Sequence, residues 1–110
     1  AVMDGAREGQ VFTALYDGDG RAREEPRVES LAALLDRVVP PVAFVGDAVE
    51  RARDEIRARH PEAVFPRRSL YLAGELGRLA EPRLQAGEGV PPSALRALYL
   101  RPAEIRKRAP

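Results

Sequence analysis

The stretch that most narrows the fold is "QVFTALYDGDG", residues 10 to 20. Gln10 to Asp17 are rich in β-branched and aromatic residues, which suit a pleated strand. Side chains on a strand alternate between faces, so Val11, Thr13 and Leu15 share one side and Phe12, Ala14 and Tyr16 share the other. Both sides carry apolar groups, and the strand is predicted to be central, covered on both faces. The Asp-Gly-Asp-Gly run from Asp17 to Gly20 tolerates the positive φ of tight turns and predicts a hairpin into a more polar strand near Arg21 to Val28. Ahead of the hairpin, Ala1 to Asp4 reads as a short apolar strand, with Gly5 to Gly9 turning between the two.

The hydrophobic period then changes. Leu31, Leu34, Leu35 and Val38 fall at helical spacing behind Ser30, a good N-cap, and Pro40 and Pro41 stop the helix. "VAFVG", residues 42 to 46, is a short apolar run ending in Gly, which predicts a buried parallel strand. A helix is predicted from Asp47 to His60, and a brief extended piece at Ala63 to Phe65. "RSLYLAGELGRLA" places Leu70, Leu72, Ala73, Leu76 and Leu79 at helical spacing and predicts a further helix, although Gly74 and Gly77 each cost about 1 kcal/mol relative to Ala. Glu81 to Pro92 reads as loop, Ala97 to Leu100 as a short strand, and "AEIRKRAP" as a frayed basic tail. The order β-β-β-α-β-α-α predicts an α/β lobe, a mixed sheet with flanking helices.

A chain of 110 residues has the usual size of one compact domain. Charged residues make up 32% of it yet the net charge is only +1, a balance that argues against a dedicated nucleic-acid binder. Runs such as Arg51, Arg53, Asp54, Glu55 and Arg57 read as a solvated helix face. There is no Cys, so disulfides and thiolate sites are excluded, and no apolar stretch approaches the ~20 residues that cross a bilayer. A cytoplasmic location is the expectation.

Few residues carry chemistry. The one His, His60, lacks a second His or Cys at metal-ligand spacing and reads as structural, a cation at a helix C-terminus. Ser30 and Ser69 precede helices and read as caps, while Tyr16, Tyr71 and Tyr99 read as packing residues with the hydroxyl near the surface. No phosphate-binding glycine motif occurs, and no cofactor is expected. Asp4 is the sharpest candidate: it is either a turn residue accepting backbone N–H bonds, or, with Glu8 and Asp47, part of a metal site, with Arg7 beside it as a partner. Arg101, Arg106, Lys107 and Arg108 offer a basic end that could contact RNA.

Three blocks of the sequence carry a family resemblance. "MDGAREGQVFTALYDGDG" resembles the start of the second lobe of the TsaB (YeaZ) family, whose members read Asp-Ala-Arg-x-Gly-Glu-Val-Tyr there. "VAFVGDA" resembles that family's Val-x-Gly-x-Gly strand end, and "LRALYLRP", residues 95 to 102, its Pro-x-Tyr-Leu-Arg terminus. The blocks stand in family order. Gly5 departs as an insertion, Gln10 stands where Glu is usual, and Pro92 lies farther from Tyr99 than the pattern places it. The family's first lobe opens on Ile-Asp-Thr-Ser, which is not found here, so residues 1–110 are expected to form one lobe, the second, without its N-terminal companion.

The resemblance implies a lobe of the ribonuclease-H-like fold, the architecture of the actin and Hsp70 ATPases. It implies a non-catalytic scaffold or dimerisation subunit in the making of threonylcarbamoyladenosine in tRNA. Its partners would be a TsaD-like catalytic subunit, a TsaE-like ATPase and a second copy of itself, with tRNA engaged indirectly. Asp4, Arg7, Tyr99 and Arg101 fall in the matching motifs and are implied as partner-facing or structural residues. The alternative is a metal- or nucleotide-binding ribonuclease-H-like enzyme domain of the glycoprotease-type ATPases. A lobe of this kind is expected to expose apolar surface at Ala1 to Met3 and at Leu70, Tyr71, Leu76 and Leu79, and therefore to self-associate.

Overall fold

The computed structural model describes residues 2–4, 8–69 and 71–100, and for residues 2–4 the backbone alone. The chain divides into two compact units, Ala1–Pro66 with Tyr99–Pro110, and Arg67–Leu98. In the first unit, β1 (Val2–Asp4), β2 (Gln10–Thr13) and β3 (Arg27–Ser30) form an antiparallel sheet in the order β1-β2-β3. Met3 pairs with Phe12 and Phe12 with Val28, so β2 is the middle strand. Two helices follow, α1 (Leu31–Arg37) and α2 (Val49–Arg59).

The hairpin forms where the glycines predict it, although both strands are shorter than expected. One Asp17 carboxylate oxygen accepts the backbone N–H groups of Asp19 and Arg21, each at 2.9 Å, and Gly20 takes φ +80°. Tyr16 bridges Ala22 across the turn, while the main ladder begins only at Thr13 with Arg27. Between these pairings residues 14–15 face residues 23–26, an unequal count that breaks the ladder, and Pro26 has no N–H to extend it. That is why β2 stops at Thr13 rather than Asp17, and β3 starts at Arg27 rather than Arg21.

The helix α1 begins as expected. The Ser30 hydroxyl accepts the Ala33 N–H at 3.1 Å, and the chain is extended again by Val38, ahead of the two prolines. The predicted strand at 42–46 narrows to one parallel bridge, Ala43 with Val64, made by Phe44 N–H donating to the Val64 carbonyl at 2.9 Å and Val64 N–H to Val42 at 3.1 Å. The α2 helix lies between the bridged segments, giving a short extended-helix-extended crossover. Its start is Val49, two residues later than predicted, with no side-chain cap.

The core of this unit is Val11 with Leu34, Leu35, Val38, Phe44, Ala48, Val49, Ala52 and Ile56. Ala52 and Ile56 lie one turn apart on α2, which turns its charged residues Arg51, Asp54, Glu55 and Arg57 outward. Val11 and Thr13 are buried, whereas Phe12, Ala14 and Leu15 are half-buried and Tyr16 is exposed. The strand is therefore covered firmly on its Val11 face and more lightly on the other.

In the second unit, α3 (Ala73–Gln85) starts and ends later than the sequence suggests. The Ser69 hydroxyl accepts the Tyr71 N–H at 3.1 Å, a local turn rather than a helix cap. At the other end the helix runs through Pro82, which forgoes one backbone bond, and closes at Gly87 with φ +78°. Gly87 N–H donates to the Leu84 carbonyl at 3.0 Å and Glu88 N–H to Arg83 at 2.9 Å, the paired bonds of a Schellman stop. Residues predicted as loop thus supply the last helical turn. Among the described residues no strand forms at 97–100, and a 3₁₀ turn, Pro92–Ala94, stands shortly before. The positive φ at Gly87 gives a direct prediction: Gly87→Ala should destabilise α3 by about 1 kcal/mol, read as lower helicity by circular dichroism at raised temperature.

Candidate functional site

The densest polar constellation is a charged clasp between the sheet and the end of α1. Thr13 on β2 and Glu29 on β3 point to the core face, and Arg37 reaches back from the last turn of α1. The Arg37 guanidinium donates from Nη2 to a Glu29 carboxylate oxygen at 2.6 Å and from Nε to the other oxygen at 3.1 Å. It also pairs with Glu24, which bonds Arg27 at 2.8 Å. The Thr13 hydroxyl donates to Glu29 at 2.5 Å.

Burial pushes the Glu29 carboxyl up, but bonds from Arg37 and Thr13, with the charges of Arg37 and Arg27, outweigh it and hold Glu29 below the ordinary glutamate range. The bond to Glu29, joined by Glu24, raises Arg37 further in spite of its partial burial. Both members stay charged at neutral pH. Both Glu29 oxygens accept hydrogen bonds from Arg37, and one also from Thr13, so the carboxylate fastens β2, β3 and α1 together.

A second set of contacts fastens the C-terminal ends of α1 and α2. His60 Nε2 donates to the Leu35 carbonyl at 2.7 Å, satisfying one of the last carbonyls of α1, and Arg59 pairs with Asp36. The half-buried His60 is thus structural, as its sequence context suggests. Near the start of the crossover, Phe44 and Phe65 stack with centroids 6.2 Å apart, and the Arg53 and Arg57 guanidinium groups lie 4.9 and 5.3 Å from the Phe65 centroid.

One open groove, about 670 Å³ in volume, runs between the starts of β2 and α1 and the side of α2. Val11, Ala48 and Ala52 contribute apolar surface, with Glu8 and Glu55 among the polar residues that line it. Ser30 also lines it, but its hydroxyl already accepts the Ala33 N–H, and no His or Cys lines the groove beside it.

Of the residues singled out from sequence, Asp4 lies on β1 with its backbone paired to Val11. Arg7 and Arg101 lie outside the described residues, as does the tail with Arg106, Lys107 and Arg108. Tyr99 is 86% exposed and Tyr71 94%, so neither ring packs as the sequence reading expects, and Tyr16 is exposed too. Among the described residues no group of three His, Cys, Asp or Glu could hold a metal ion, and no helix is long and apolar enough to cross a membrane. Sequence alone does not reveal the clasp, because its members lie 8, 13 and 24 residues from Arg37 and each type is ordinary at its position.

No family model, curated protein or solved structure matches the chain.

Proposed function

We propose that residues 1–110 are a ribonuclease-H-like lobe of a TsaB-like protein, a non-catalytic scaffold subunit in tRNA threonylcarbamoyladenosine formation. The observation that carries this reading is the order of elements: an antiparallel β1-β2-β3 meander running into α1, then a parallel bridge between Ala43 and Val64 across α2. That order agrees with the lobe that the three sequence blocks imply. The polar groups are consistent with a scaffold, since Glu29, Arg37 and His60 are committed to fastening elements together.

On this reading the lobe acts by shape. It presents surfaces to a TsaD-like catalytic subunit, joined by a TsaE-like ATPase, and it meets tRNA through them, in the cytoplasm. Asp4, Arg7, Tyr99 and Arg101 belong to the motifs that would be read by partners or by the rest of the subunit. The test is a TsaB protein whose second lobe is replaced by residues 1–110, carrying an affinity tag. It should retain the TsaD-like subunit on purification as the parent does. Loss of the TsaD-like subunit from a soluble, folded chimera would refute the reading.

A further inference from the structure

Two arginines converge on one ring within the crossover. Arg53 and Arg57 stand one turn apart on α2, about 6 Å along its axis, and their guanidinium groups lie over Phe65, 4.9 and 5.3 Å from its centroid. Phe65 is itself backed by Phe44. All four residues belong to the first compact unit. The contact with the ring uses the charge of a guanidinium and not its N–H donors, so the two groups are oriented together while their donors are kept for other partners.

Few of those donors are taken up within the protein. Arg53 Nε is buried and has no hydrogen-bond partner among the described residues, and a buried donor left unmet is costly. Arg53 Nη2 donates to Glu50 at 2.8 Å, an i,i+3 surface pair of small worth that a more highly charged oxyanion can replace. Arg57, which α2 turns outward, forms no ion pair among the described residues. The geometry points to a phosphoryl site, in which a phosphomonoester dianion sits between Arg53 and Arg57 on the Phe65 ring, one oxygen accepting from Arg53 Nε and another from the Arg57 guanidinium. Two cations match its two negative charges, and its three acceptor oxygens reach both planar donors, whereas a carboxylate brings only the single charge that Glu50 already offers. Glu50 and Asp54 stand on the same helix and repel the anion, which keeps the binding weak. The site is independent of the TsaB-like reading.

The experiment is nuclear magnetic resonance of the 110-residue chain, read at the arginine Nε–H signals. At a pH of about 7.5, where phosphate is mostly dianionic, and at constant ionic strength, inorganic phosphate should shift the Arg53 and Arg57 signals with a Kd on the order of 1 to 10 mM, and acetate at equal concentration should leave them in place. Arg57→Gln should weaken the binding roughly tenfold, while Glu50→Gln, which removes the competing carboxylate, should tighten it severalfold. A phosphoserine peptide distinguishes the sources of the group: binding tighter than that of inorganic phosphate assigns it to a phosphorylated partner protein, and equal or weaker binding to a small phosphate ester. Signals unmoved by phosphate, moved equally by acetate, or indifferent to both substitutions would overturn the inference.

Discussion

Ile56→Ala should lower unfolding stability by about 3 to 4 kcal/mol, the largest loss expected from any single substitution here. Ile56 has 0% exposure and sits in the buried cluster with residues of α1 and the 42–44 segment, so its truncation leaves a cavity lined by several elements. Folded domains of this size have only about 5 to 15 kcal/mol in hand, so the midpoint of urea unfolding should fall sharply with little change in slope. A loss under about 1 kcal/mol would mean that α2 is not packed through this side chain.

The clasp gives the second large effect and a pH signature. Arg37→Ala leaves the Glu29 carboxylate, only 11% exposed, with Thr13 as its remaining bonded partner, and should cost about 2 to 3 kcal/mol at neutral pH. The carboxyl of Glu29 is held below its ordinary value near 4.5 in the folded state. A depressed folded value means that the contribution is full above the unfolded value and is lost as pH falls through the folded one. Urea midpoints of the parent and Glu29→Gln should therefore differ most near neutral pH and converge as the pH falls through the lowered folded-state value of Glu29. A difference independent of pH would show that the charge of Glu29 contributes nothing to stability.

How much could be read from the sequence depended on how local each interaction is. The Ser30 cap, the spacing of Leu31, Leu34 and Leu35, and the Asp17 turn are decided within a few residues, and each forms as expected. Strand lengths were not legible, because the offset between the Tyr16 bridge and the Thr13 pairing depends on how the chain accommodates Pro26. At α3 two local signals misled. Ser69 caps a turn instead of the helix, and Pro82 is tolerated because the Schellman stop at Gly87 completes the turn beyond it. The clasp was invisible for a different reason. Thr13, Glu29 and Arg37 are unremarkable singly, and only the β2–β3 register and the angle of α1 bring them together. Tyr71, Leu76 and Leu79 are exposed, as the family resemblance and not helical spacing led one to expect, while the exposure of Tyr99 reverses the packing role that its ring size suggests.

On the reading proposed above, residues 1–110 serve tRNA modification as a scaffold lobe. Its most direct test is mass spectrometry of tRNA nucleosides from cells depleted of their own TsaB protein and supplied with the chimera carrying residues 1–110 as its second lobe. Threonylcarbamoyladenosine should return to near the level given by the parent protein. A folded, well-expressed chimera that leaves the adenosine unmodified would refute a scaffold role for residues 1–110.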